Sequence, residues 1–148
     1  MPKICGVSIA SSTATFVIIE GNKSEYELVQ SDIKRITIED DRNHEQVKLL
    51  LSDTENFFKE NEIEKVIIKK PLDKGKFRSS SQSFKIEAII QLASENVDLV
   101  SAIVLKAFTK NNPVSEDLLG KINKYQHDAY FAAHYGMLND DCDEIRLF

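Results

Sequence analysis

The amino-acid sequence predicts an α/β fold, a mixed five-stranded sheet with helices on both faces. Three observations carry this. Short Ile- and Val-rich runs separated by turn residues fill the first third of the chain, apolar residues recur at helical spacing further on, and Val66-Ile67-Ile68 is apolar at consecutive positions. A run of the last kind is buried on both sides, the mark of a strand that has crossed over to pair in parallel.

Taken in order, residues 4–10 and 13–20 are strands separated by Ser11 and Ser12, and Gly21-Asn22-Lys23 is a turn before a third strand over residues 25–30. Residues 33–38 extend or bend that third strand. Val47, Leu50, Leu51, Thr54, Phe57 and Phe58 then recur at helical spacing, with Glu45, Lys48, Asp53 and Glu55 on the opposite side. After the buried strand and a polar stretch over 69–83, Ile86, Ile89, Ile90 and Ala93 mark a second helix. Residues 97–101 read as the fifth strand, and Ile103, Val104, Ala107 and Phe108 as a brief helix. A closing helix starts at Ser115, whose hydroxyl caps it, and carries a continuous inner stripe of Leu118, Ile122, Tyr125, Ala129, Ala132, Ala133 and Gly136. The small residues in that stripe allow a close approach to a sheet.

Composition bounds the rest. The chain has 148 residues, a net charge of -5, 42% hydrophobic and 29% charged residues, values of an ordinary globular protein that needs no disulfide or metal staple. Residues 1–138 read as one domain, without repeat or linker, and 139–148 as an acidic tail. Cys5 and Cys142 make no disulfide framework, no apolar run is long enough to span a membrane, and the first residues begin a strand instead of a signal peptide. The expectation is a cytoplasmic protein without a membrane partner.

Residues 4–13, His127-Asp128-Ala129 with Ala132-Ala133, and Val104-Leu105-Lys106 with Thr109-Lys110-Asn111 resemble the first strand and turn, the last helix and the intervening region of RuvC-type resolvases. The predicted element order is that of their RNase H-like fold. Lys74-Gly75-Lys76-Phe77, Phe84-Lys85-Ile86-Glu87-Ala88 and Ile90-Gln91-Leu92 further resemble a small bacterial RuvC-like family of unknown function, domain of unknown function three-thousand-and-ten. The likeness runs nearly end to end and implies an RNase H-like, RuvC-type sheet.

RuvC-type nucleases hold two divalent metals on four carboxylates. The resemblance sets Ser8 against the first-strand aspartate, Lys69 or Lys70 against the fourth-strand glutamate, and Tyr125 and Asp128 against the two aspartates of the last helix. Magnesium takes hard oxygen ligands at about 2.0–2.1 Å, which an ammonium cannot supply. These are therefore expected to be former active-site positions, with no catalytic or metal-binding residue assigned and no cofactor. Magnesium enters only if cleavage survives on a rearranged acidic site, for which Glu20 and Glu87 are the available carboxylates. Asp128 is expected to hydrogen-bond Ser8 or a lysine. His127, Tyr130 and His134 share a helical face, but two histidines two turns apart are about 10 Å apart along the axis. Their face reads as partly exposed, at a dimer contact.

The strongest functional lead is charge. Residues 65–85 hold seven basic groups against Asp73, a balance of +6, so the remainder sums to -11. Lys69, Lys70, Lys74, Lys76, Arg78 and Lys85 are the candidate nucleic-acid contacts, with Phe77 able to stack on a base and serines beside them. The expected function is a catalytically degenerate RuvC-like module that binds branched or single-stranded nucleic acid. A dimeric protein-interaction module is the alternative, and a metal-dependent nuclease with a rearranged site the third reading.

Overall fold

The computed structural model describes residues 2–31, 33–72, 75 and 79–139. Strands β1 (Lys3–Ala10) and β2 (Thr13–Gly21) form an antiparallel hairpin in which Ser8 lies opposite Thr15. β5 (Lys65–Lys69) lies parallel to β1 on its other edge, and β6 (Val97–Val100) lies parallel to β5. With β3 (Tyr26–Val29) on the outer edge of β2, the order is β3-β2-β1-β5-β6, and β1 is central. This is the α/β, RNase H-like arrangement that the sequence predicts.

The strand count differs from the expectation. The predicted third strand is two strands on one edge of β2: β3 pairs with Ile18 to Gly21, and β4 (Arg35–Thr37) pairs with Thr13 to Thr15. Among the described residues the sheet therefore has six strands. Local bonds replace the ladder across the interruption, where the Ser31 hydroxyl donates to the Ile33 carbonyl at 2.8 Å and the Phe16 amide donates to the Lys34 carbonyl at 2.9 Å.

One face of the sheet is covered by α1 (His44–Glu60) and α2 (Ser81–Ala93). Asn43 and Ser80 cap these helices by accepting from the amides of Gln46 and Ser83. Leu50, Phe57, Phe58, Ile86 and Ile90 pack on Cys5, Val7, Phe16, Ile18, Val66 and Ile68, with the Phe16 and Phe57 rings 4.9 Å apart. The Ser83 hydroxyl donates to the Ser11 carbonyl at 2.9 Å and pins the β1–β2 turn to α2.

The opposite face is covered by α3 (Ala102–Asn111) and α5 (His127–Leu138). The predicted closing helix is not continuous. Ser115 caps a short α4 (Glu116–Gly120) as expected, but Asn123 and Gln126 bond reciprocally in a capping box and begin a new segment, a 3₁₀ turn over Lys124–Gln126 that leads into α5. The residues Leu118, Ile122 and Tyr125 of the supposed stripe thus belong to separate pieces.

From Ala129 onward the stripe is as expected. Ala129, Ala132 and Ala133 are fully buried, and α5 lies so close to β1 that a Cβ on Gly6 would collide with the Ala129 carbonyl and the Ala133 backbone. Gly136 does the same from the helix side, against Ile67 and Ile4. Backbone cannot yield as a flexible side chain can, so Gly6→Ala is expected to lower stability by about 1–3 kcal/mol. Urea denaturation checks this, as a lowered midpoint with an unchanged slope.

Candidate nucleic-acid interface

Side chains alternate across a strand, so each strand sends one set toward α1 and α2 and the other toward α5. On the α5 side, Ile4, Val17, Ile19 and Ile67 are core residues. Toward the carboxyl ends of β1 and β5 the same alternation brings Ser8, Thr13, Thr15, Arg35 and Lys69 to that face. The apolar floor becomes a polar one where the helix cover stops. There an open cleft of about 520 Å³ is lined by these residues together with Lys70, Lys124, Tyr125 and Asp128. All five positions that the sequence sets against the RuvC acids, Ser8, Lys69, Lys70, Tyr125 and Asp128, therefore meet in one place.

The first turn of α5 carries Asp128 to the end of β5, where its Oδ2 accepts from Lys69 Nζ at 2.9 Å. The expected partner is thus a lysine. Arg35 lies with its guanidinium carbon 4.0 Å from the centroid of the Tyr125 ring, a cation–π contact that holds it at the cleft wall. Thr13 and Thr37 share a hydroxyl hydrogen bond of 2.9 Å on the same face. Among the described residues, four cations (Arg35, Lys69, Lys70, Lys124) and one carboxylate line the cleft, a balance of +3.

This donor set does not fit a pair of divalent cations. A hydroxyl, two ammonium groups, a phenol and one carboxylate already paired with Lys69 stand at the positions in question. Among the described residues no three His, Cys, Asp or Glu side chains gather where they would hold a metal ion. Neither Glu20 nor Glu87 lines the cleft. Glu20 lies opposite Lys3, at the far end of β1, with its carboxylate 3.9 Å from the Lys3 ammonium.

The candidate cations separate. Lys69 and Lys70 line the cleft, with Ser79 beside them. Lys85 does not: it lies on α2, where its ammonium donates to the Asp41 carbonyl at 2.6 Å and lies 3.5 Å from the Asp41 carboxylate. Lys74, Lys76, Phe77 and Arg78 lie outside the described residues, as do Cys142 and the acidic tail beyond Asn139. Arg35 and Lys124 were invisible to a charge count along the chain. The alternation of β2 and the pairing of Arg35 with Thr15 is the signal that finds the first; the second sits one residue before Tyr125.

The chain matches the model of a family described as "Protein of unknown function (DUF3010)" over residues 2–136. It belongs to this family. No curated protein matches it by sequence. Among solved structures it is similar to Thermus thermophilus RuvC in complex with Holliday junction substrate, at a TM-score of 0.69 and 9% identity over 97% of both chains. It is also similar to another structure of Thermus thermophilus RuvC, at 0.68 and 10% identity, covering 94% of this chain and 95% of that one. The Fowlpox virus resolvase in complex with Holliday junction DNA matches at 0.52 and 17% identity, covering 90% and 97%. At such identities the likeness establishes the RNase H-like fold of this family member.

The histidine face on α5, expected to be partly exposed, is so only at His127. Tyr130 and His134 are buried, with Tyr26 of β3 and Phe108 of α3 against the His134 ring and Tyr130 stacked on it. The Tyr26 hydroxyl and His134 Nε2 share a hydrogen bond of 2.7 Å, while His134 Nδ1 is buried without a hydrogen-bond partner among the described residues. Burial lowers the His134 pKa below its ordinary 6.5 and pushes the Tyr130 hydroxyl up to about 12. The imidazole is therefore neutral in the fold, whereas the unfolded chain takes up its proton near 6.5. This contribution to stability is complete above that pH and is lost as the pH falls from there through the folded value. Urea midpoints at about pH 7.5 and about pH 5.5 check it: the acid-side fall should be smaller in His134→Gln than in the natural chain.

Proposed function

We propose that this protein is a RuvC-like nucleic-acid-binding module in which fixed cations take over the place of catalytic metals. The observation that carries the reading is the convergence of Arg35, Lys69, Lys70 and Lys124 in the cleft that also holds Ser8, Tyr125 and Asp128. Phosphate oxygens need positive charge and hydrogen-bond donors, and these side chains supply both without a divalent ion. Cleavage needs an activated water and stabilised leaving oxygen, and among the described residues of the cleft Asp128 alone brings a carboxylate toward that task. The relatives in structure support the choice of ligand: a RuvC of this fold is complexed with a Holliday junction substrate and a poxvirus resolvase with Holliday junction DNA. Lys74, Lys76 and Arg78 add positive charge in the segment that follows Lys70, and branched or single-stranded nucleic acid is the class proposed.

If about four phosphates are neutralised, log affinity should fall with log salt at a slope of roughly -3 to -4. Lys70 and Lys124 are exposed on the cleft rim, so their removal should leave the fold intact. Lys70→Ala with Lys124→Ala is expected to flatten the slope by roughly 1.4–1.8, with similar weakening for every sequence tested. Fluorescence anisotropy of labelled oligonucleotides over a salt series measures this. An unchanged slope in the double variant, or no binding of any polynucleotide at low salt, would overturn the reading in favour of a protein-interaction module.

A further inference from the structure

A second groove, of about 470 Å³, opens between α3 and α5 on the other side of the Lys69–Asp128 ion pair. Leu105 and Phe131 form its apolar wall, and Lys106 and Lys110 stand one helical turn apart on its rim. Lys69 and Asp128 line both this groove and the cationic cleft. The ion pair is thus a thin partition between a site suited to phosphate and a site of different character. The groove's size is that of ordinary small-molecule sites, which combine apolar walls with a few polar groups.

We infer that this groove receives an unpaired nucleobase, and that the ligand of the cationic cleft is accordingly single-stranded. The inference rests on the proposed function and deepens it. A nucleotide joins an apolar planar ring to an anion within one residue, and the molecule places an apolar wall beside cations in the same order. Phe131 lines the groove with an aromatic ring on which a base can stack, Thr109 and the Asp128 carboxylate offer polar groups at the edge, and among the described residues three cations against one carboxylate give the groove the charge sign that a strand requires. A base held in a duplex cannot leave the stack without an unstacking cost, whereas an unpaired base enters freely.

The test compares oligothymidylate of about a dozen nucleotides with an abasic strand of the same length, which keeps the phosphates and lacks the bases. The natural protein should bind oligothymidylate about tenfold or more tightly than the abasic strand, and more tightly than a duplex. Filling the groove by Ala102→Leu with Thr109→Leu should abolish that difference while leaving the abasic affinity and its salt slope unchanged. The chain contains no tryptophan, so Phe131→Trp adds a single reporter whose emission should be quenched by oligothymidylate and not by the abasic strand. Equal affinity for both strands, or preference for the duplex, would overturn the groove assignment and leave the proposed function standing. A concentration-dependent dimer that the groove-filling variant abolishes would overturn it in favour of a second copy of the chain. Absence of binding to every strand would overturn both readings together.

Discussion

The contact between α5 and the central strand decides where everything else in the cleft can be. Gly6 on the strand and Gly136 on the helix are the two positions where a side chain would force the surfaces apart, and Ala129, Ala132 and Ala133 fill the space between them with small groups. Close packing of this kind tolerates little displacement. It fixes the register of α5 on the sheet, and register fixes which residue of its first turn stands above the end of β5. That residue is Asp128, and the side chain it meets is Lys69. A helix held farther from β1 would lift the carboxylate away from the ammonium and open the partition between the two cavities.

The value of that ion pair lies in position more than in stability. Lys69 and Asp128 are 28% and 52% exposed, and ion pairs so accessible to water contribute about 1 kcal/mol or less. Asp128 orients Lys69 toward the cleft and offsets part of its charge, while Arg35 gains orientation from the face of Tyr125. A phosphate entering there meets cations whose geometry is already set, which lowers the ordering cost of binding. The same arrangement disfavours a divalent ion, because a metal would have to displace the lysine from Asp128 and no other carboxylate lines the cleft among the described residues. In the proposed function, fixed ammonium and guanidinium groups therefore stand where metal ions would neutralise the anion, and such groups generate no nucleophile.

Much of this was legible in the sequence, for reasons that differ by residue. Val66, Ile67 and Ile68 announced a buried parallel strand because both faces of it are covered, and the alanines of α5 announced close packing because no larger residue would fit. Ser8, Lys69, Lys70, Tyr125 and Asp128, which the resemblance to RuvC-type proteins sets together, line one cleft. What escaped depends on long-range pairing. His134 reads as partly exposed until Tyr26 and Phe108 are seen to cover it. Arg35 reads as a loop residue until β4 is aligned with β2. Lys85 counts toward the basic segment, yet its helix lies on the other face of the sheet and Asp41 holds its ammonium. The break before α5 came from side-chain bonds between Asn123 and Gln126, which apolar periodicity does not register.

The central claim is that cations of the chain, in place of metal ions, hold the anionic ligand. Its most direct test is the affinity of pure protein for a labelled single-stranded oligonucleotide, measured with excess magnesium and with a chelator, followed by an assay of strand integrity. Binding should persist in the chelator and the strand should be recovered intact under both conditions. Binding that disappears on chelation, or cleavage in magnesium that Asp128→Ala abolishes, would contradict the account.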